Sequence, residues 1–127
     1  DDGFIYVGER SSIQDGTIVH TTMFCPTRIG NECTIGHNVH LEGCTIADKA
    51  LVGSGSVVLH EAFVGEEAIV GANAMVPNRK VIPPLARALG VPVTIVENAV
   101  EPGWFDLGWQ SYVHRARRFK EQLRRID

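Results

Sequence analysis

A six-residue period of aliphatic side chains runs through most of this 127-residue chain. The clearest stretch is a column in which every sixth residue is Val or Ile. Its members are Ile46, Val52, Val58, Val64, Val70, Val76 and Ile82. A helix has a side-chain period of 3.6 residues and an ordinary strand a period of two, so neither produces this column. The spacing instead predicts a repeated unit made of a short strand and a turn.

Three such units form one triangular coil of about 18 residues, and stacked coils pair their backbones at a spacing of about 4.8 Å. The interior of such a stack is narrow, which explains the Ala or Ser found four residues after most column members. The composition agrees, because the chain has 13 Gly and only 7% aromatic residues. We expect glycine at turns, where a positive φ or close packing requires it. A β-sandwich with coincidental spacing is the alternative, and seven successive column positions argue against it.

Upstream, the same phase includes Val7, Ile13, Val19, Ile29, Ile35 and Leu41. One five-residue step, from Leu41 to Ile46, shifts the register once. The stack is predicted to occupy residues 1–84, because Pro83 and Pro84 cannot continue a hydrogen-bonded ladder. The chain begins without Met, so N-terminal coils are expected to be missing.

After the stack, residues 85–103 are predicted to form an extended connection and residues 104–127 an amphipathic helix, all within one domain. The helix is predicted from an apolar stripe with alternating steps of four and three residues. The stripe consists of Phe105, Trp109, Tyr112, Ala116, Phe119, Leu123 and Ile126.

Charge separates the body of the chain from its C-terminal end. The formal net charge is −3, yet six of the 12 Lys and Arg residues follow His114. We interpret this basic helix face as a solvated surface that complements the acidic body, with nucleic-acid binding as the alternative. No apolar run approaches eighteen residues, so no membrane-spanning helix is expected. Three cysteines and no visible signal peptide predict free thiols in the cytoplasm.

Polar side chains converge at one level of the aliphatic stack. His20 directly follows the column residue Val19, and Glu42 directly follows the column residue Leu41. The two residues are 22 apart, so they are expected to stack on one edge of adjacent coils. His37 is two residues after Ile35 and is expected to point at a different edge. A second copy of the chain, related by rotation, would bring His37 to the other two, which predicts a site at a subunit interface.

Two segments that surround these residues resemble the gamma-class carbonic anhydrases. They are SIQDGTIVH at residues 12–20 and TIGHNVHLEGCTI at residues 34–46. The sequence VP at residues 76–77 and LGVP at residues 89–92 are similar to the closing coil of that family. The resemblance covers residues 1–95. It implies a left-handed parallel β-helix of hexapeptide repeats with a C-terminal α-helix, assembled as a homotrimer.

The resemblance also implies a divalent metal at each interface, zinc first, with iron or cobalt as alternatives. In the family three histidines hold the metal, two from one subunit and one from its neighbour. His20 matches one ligand, His37 matches the ligand given to the neighbour, and Glu42 stands where the third histidine is expected. His40 is the alternative ligand, but it precedes Leu41 rather than following it and is expected to face another way.

Further residues match catalytic positions of the family. Gln14 and Asp15 match the residues that orient the metal-bound water and brace the interface. Asp2 falls where some members keep a proton-shuttling glutamate, and Asp1 matches the aspartate of an Arg-Gly-Asp segment. His60 and His114 have no such match and are expected to be polar surface.

Glu42 bears directly on the chemistry. Zinc accepts two His and one Glu, with water completing a catalytic site. An anionic ligand offsets part of the charge with which the metal lowers the pKa of bound water to about 7. The activity implied by the resemblance, reversible hydration of carbon dioxide to bicarbonate by a metal-bound hydroxide, is therefore expected to be weakened.

Three functions remain open from the sequence. The first is hydration of carbon dioxide at a trimer interface. The second is a catalytically inactive carbonic anhydrase-like trimer within a larger assembly such as respiratory complex I, which would place the protein in mitochondria. The third, CoA-dependent acyl transfer, usually needs a histidine on a projecting loop, and the loop at residues 21–28 has none.

Overall fold

The structure, a computed structural model, describes residues 2–127 and leaves Asp1 outside the described residues. Fifteen short strands and one helix are found in this range. In chain order they are β1 (Ile5–Val7), β2 (Ser12–Ile13), β3 (Ile18–His20), β4 (Thr27–Ile29), β5 (Thr34–Ile35), β6 (His40–Glu42), β7 (Thr45–Ile46), β8 (Leu51–Val52), β9 (Val57–Val58), β10 (Phe63–Val64), β11 (Ile69–Val70), β12 (Met75–Val76), β13 (Val81–Ile82), β14 (Arg87–Leu89), β15 (Thr94–Val96) and α1 (Asp106–Gln122).

The strands form three sheets, one for each side of a triangular stack. Sheet A has the order β1-β4-β7-β10-β13, sheet B the order β15-β14-β11-β8-β5-β2, and sheet C the order β12-β9-β6-β3. All pairs are parallel except β14 with β15. Later coils pair at the predicted spacing, as in Val64 with Ile82. The predicted fold class, a parallel β-helix of hexapeptide repeats with a C-terminal helix, is confirmed.

The aliphatic column forms the core of the stack. Column residues from Ile29 to Ile82 are buried, and so are the small residues Ala50, Ser56, Ala62, Ala68 and Ala74. Their burial confirms the predicted narrow interior. Val7 and Ile13, in the first coil, are exposed. Both lie at the N-terminal end of the stack.

The glycines that follow column residues are required by close packing rather than by positive φ. A Cβ added to Gly53 would lie 2.5 Å from the backbone N of Ala72, and one added to Gly65 would lie 2.4 Å from the backbone N of Pro84. Positive φ falls mainly on non-glycine turn residues, such as Lys49 at 59° and Asn73 at 56°. Of the two roles expected for glycine, close packing is therefore the one that repeats along the stack.

The stack continues past Pro84, so the prediction that it stops there is wrong. β14 pairs in parallel with β11, and Ala86 and Ala88 are fully buried. The two prolines lie in a turn, at the place that Gly65 and Glu66 occupy one coil earlier. The ladder continues around them, since the N–H of Leu85 donates to the carbonyl of Glu66 at 3.0 Å. Residues 85–103 thus include two strands rather than a purely extended connection.

The C-terminal helix is shorter than predicted. α1 ends at Gln122, and Leu123 is already extended. Leu123 and Ile126 are 71% and 95% exposed, and α1 itself contains no fully buried residue, so the apolar stripe is only partly covered. The helix lies against β2 of sheet B, and its first residue, Asp106, pairs with Lys49 at 3.7 Å. No helix within residues 2–127 is long and apolar enough to cross a membrane.

Candidate metal centre

His20 and Glu42 are stacked neighbours at the ends of β3 and β6 in sheet C. β3 pairs with β6 in a register that places His20 opposite Glu42. The Nε2 of His20 lies 4.0 Å from the Oε1 of Glu42. The loop at residues 21–26 lengthens this coil, which is why the stacked pair is 22 residues apart. The predicted juxtaposition of these two side chains is confirmed.

His40 shares this outer face, so the expectation that it faces another way is wrong. Side chains alternate along a strand, and the buried Leu41 points into the stack. Its two neighbours in β6, His40 and Glu42, must therefore both point outward. The Nε2 of His40 lies 2.9 Å from the Oε2 of Glu42.

His60 reaches the same carboxylate from the following coil. Its Nε2 lies 3.4 Å from the Oε1 of Glu42. Gly43 leaves room for the ring, because a Cβ there would lie 2.8 Å from the Cδ2 of His60. The sequence interpretation of His60 as plain polar surface missed this contact. The signal was its position, eighteen residues after Glu42 and therefore one coil further on.

The electrostatics of the cluster keep Glu42 ionised. The hydrogen bond with His40 holds the pKa of the Glu42 carboxyl below its ordinary value, and the nearby His60 acts in the same direction. Partial burial opposes the shift. The side chain of Glu42 is 25% exposed, so solvent still reaches the carboxylate. Glu42 is consequently an anionic oxygen donor surrounded by imidazoles.

His37 lies at a different corner of the stack, in the turn between β5 and β6. The turn of Gln14 and Asp15 stacks against it, with the N–H of Asn38 donating to the carbonyl of Asp15 at 3.0 Å. Together with residues of α1, these side chains line a cleft of about 360 Å³. The cleft residues are Ser12, Ile13, Gln14, Asp15, His37, Tyr112, Arg115, Ala116 and Phe119.

Asp2 is exposed at the N-terminal end of the described chain. The backbone of the next residue, Gly3, packs against Thr22, where an added Cβ would lie 2.1 Å from the carbonyl oxygen. Asp2 therefore lies on the side of the stack where β3 ends at His20.

One chain supplies only part of the predicted ligand set. Within residues 2–127, no group of three His, Cys, Asp or Glu side chains is arranged to hold a metal ion. His20 and Glu42 are together, whereas His37 is at another corner. Two imidazoles and one carboxylate are a donor set that zinc accepts in catalytic sites. The residues therefore fit a zinc site if a second copy of the chain supplies His37.

Comparison with known proteins agrees with the fold and the motifs. A family model described as bacterial transferase hexapeptide (six repeats) matches residues 26–60. The chain is 43% identical, over 97 residues, to a probable carbonic anhydrase of Methanocaldococcus jannaschii. It is 38% identical, over 85 residues, to the mitochondrial gamma carbonic anhydrase 2 of Arabidopsis thaliana. The chain belongs to the gamma carbonic anhydrase-like hexapeptide-repeat family.

The match to each family member is partial. The alignments cover 76% of this chain and 61% of the Methanocaldococcus protein, and 62% of this chain and 31% of the Arabidopsis protein. Hexapeptide-repeat structures of another named activity are also similar. A putative acetyltransferase of Bacillus cereus has a TM-score of 0.83 and 29% identity, with 95% of this chain and 84% of that chain covered. Family membership alone thus does not determine the reaction, which depends on the residues of the site.

Proposed function

We propose that this chain forms a homotrimer that reversibly hydrates carbon dioxide, with a divalent metal, zinc first, at each subunit interface. One observation carries the proposal. His20 and Glu42 are stacked at the ends of β3 and β6 in sheet C, while His37 lies at a different corner of the stack with Gln14 and Asp15. The matching residues are therefore divided between two surfaces of one chain, as a site shared between subunits requires.

His20 and Glu42 of one subunit, with His37 of the next, would hold the metal. When bound, zinc acts as a Lewis acid that makes water a nucleophile near neutral pH. Glu42 places negative charge in this donor set, so the expected turnover is slower than with three neutral imidazoles. The carboxylate is nevertheless compatible with zinc.

The other residues of the site bind, orient and move protons. Gln14 and Asp15 lie at the same corner as His37, so they would enter the shared site from the same subunit as His37. Their amide and carboxylate groups would orient the attacking water through hydrogen bonds. Asp2 would enter from the side of His20, and its exposed carboxylate would pass the released proton to solvent.

Acyl transfer is the weaker alternative, although a similar solved structure is named a putative acetyltransferase. The projecting loop at residues 21–26 contains no histidine to act as a general base. Its backbone is closed by reciprocal hydrogen bonds between Thr22 and Cys25, both at 3.3 Å. The loop supplies apolar exposed side chains, Met23 and Phe24, rather than a base.

The test uses the purified chain. Light scattering would give the oligomeric state, elemental analysis the metal content, and stopped-flow spectroscopy the rate of carbon dioxide hydration before and after chelation. We expect a trimer with about one divalent metal per subunit and an activity that chelation removes and zinc restores. A metal-free trimer without turnover would overturn the proposal in favour of a structural subunit. Consumption of acetyl-CoA without hydration would overturn it in favour of acyl transfer.

A further inference from the structure

Three imidazoles from three successive coils of one chain surround the carboxylate of Glu42. We propose that two of them, His40 and His60, are positioning residues that fix this carboxylate as a metal ligand and reduce its negative charge. This inference rests on the proposed function, because it assigns a role toward the metal of that site. It gives His40 and His60 a role toward Glu42 that neither the sequence motifs nor the family match supplies.

His40 holds the oxygen that faces away from His20. Its Nε2 is 2.9 Å from Oε2, whereas the Nε2 of His20 is 4.0 Å from Oε1. Because the carboxylate is ionised and accepts, the imidazole of His40 must donate. The fully buried Leu41 lies between the two residues and fixes the strand that carries them. Oε1 is thereby left on the side of His20.

His60 braces the carboxylate from the next coil. Its Nε2 is 3.4 Å from Oε1, and Gly43 provides the space for its ring. The turn that carries His60 is tied to both neighbouring coils. The N–H of Glu61 donates to the carbonyl of Gly43 at 2.7 Å, and the N–H of Arg79 donates to the carbonyl of His60 at 2.9 Å. The imidazole therefore projects from a fixed backbone.

Two effects follow for a metal held by Glu42. Hydrogen-bonded partners fix the orientation of a metal ligand, and their loss typically lowers metal affinity about 10- to 100-fold. Donated hydrogen bonds also withdraw electron density from the carboxylate. The metal then keeps more of its charge than with an unpartnered glutamate, which partly offsets the substitution of a carboxylate for an imidazole.

The experiment measures Co²⁺ affinity by visible absorption in the full chain, independently of catalysis. His40→Ala and His60→Ala are each expected to weaken Co²⁺ binding about 10-fold or more. His40→Gln and His60→Gln should bind Co²⁺ more tightly than the corresponding Ala variants, because an amide can still donate a hydrogen bond to the carboxylate. The polar Gln side chain should also leave the fold unchanged. His114→Ala, at an exposed position on α1, is the matched control and should bind Co²⁺ like the unmodified chain.

A Glu42→Ala background separates positioning from direct ligation. If His40 and His60 act through Glu42, substituting either histidine in the Glu42→Ala variant causes no further loss of Co²⁺ affinity. Equal further loss would show that they bind the metal themselves and would overturn the positioning role. Unchanged affinity in the four single variants would overturn that role while leaving the proposed function intact. An unmodified chain that binds neither Co²⁺ nor Zn²⁺ would overturn both.

Discussion

The Nε2 of His20 lies 4.0 Å from the Oε1 of Glu42, although the two residues are 22 apart in sequence. They meet because β3 and β6 are neighbours in sheet C and their register places the two residues opposite each other. The same stacking places Asp15 beside the turn of His37 at another corner. The division of the proposed site between two surfaces is thus a direct result of the coil geometry.

Substitution of either proposed histidine ligand should remove the metal without unfolding the protein. His20→Ala and His37→Ala each delete a donor, and neither side chain belongs to the buried column. Elemental analysis should find less than about one tenth of the metal of the unmodified chain, because a lost ligand costs more than the 10- to 100-fold loss of a supporting contact. Light scattering should still find a trimer. Unchanged metal content in both variants would refute the ligand assignment.

Replacing the anionic ligand should increase turnover. Glu42→His supplies a neutral imidazole, so the metal keeps more charge and lowers the pKa of water further. We expect hydration to be faster by on the order of tenfold, measured by stopped-flow spectroscopy on samples of equal metal content. An unchanged rate with metal present would mean that Glu42 does not limit the reaction.

The buried column should account for the stability of the stack. Ile82→Ala removes a fully buried side chain from the column and should lower the free energy of unfolding by about 2–5 kcal/mol. Val81→Ala, at the neighbouring position in β13, is the control, because Val81 is 60% exposed. Its effect should stay within about 0.5 kcal/mol in denaturant titrations. Equal losses of stability in Ile82→Ala and Val81→Ala would mean that the buried column does not stabilise the stack more than exposed strand positions do.

The buried cysteines should be inert and should make stability fall at high pH. Burial raises the pKa of Cys33 to about 11 and that of Cys44 to about 12, from an ordinary value of 9.0. Because the folded state favours the neutral thiols, their contribution to stability is present below pH 9 and is lost as pH rises through 11–12.

Alkylation tests directly whether burial protects Cys33 and Cys44 more than Cys25. Iodoacetamide at pH 8 should modify only the half-buried Cys25 in the folded protein and all three cysteines after denaturation. Mass spectrometry of the digested protein would show which thiols react. Rapid modification of Cys33 or Cys44 in the folded chain would contradict the packing of the stack.

The register of the site was predictable from sequence because the hexad gives each residue a place in its coil. The hexad correctly predicted that His20 stacks on Glu42, although the coil between them is lengthened. It failed for His40 because the hexad describes positions around the coil, whereas the direction of a side chain within β6 follows the strand period of two. Local alternation therefore decides which residues share a face.

Three other differences depend on contacts that the sequence does not display. His60 reaches Glu42 only because Gly43 lacks a side chain and leaves space between the coils. Pro83 and Pro84 were predicted to end the stack, but β13 is the last strand of sheet A, so the N–H that Pro83 lacks has no further strand to pair with. The predicted helix extended too far because Leu123 and Ile126 find no apolar surface against which to pack.

The most direct test of the central claim, a site shared between subunits, is to mix two defective chains. His20→Ala and His37→Ala subunits would be co-refolded in equal amounts, and the metal content and hydration rate of the trimers measured. Each interface needs His20 from one variant and His37 from the other, so random assembly should restore about one quarter of the sites. Recovery of metal and activity near that fraction is the predicted result. Mixed trimers as empty and inactive as either variant alone would contradict the account.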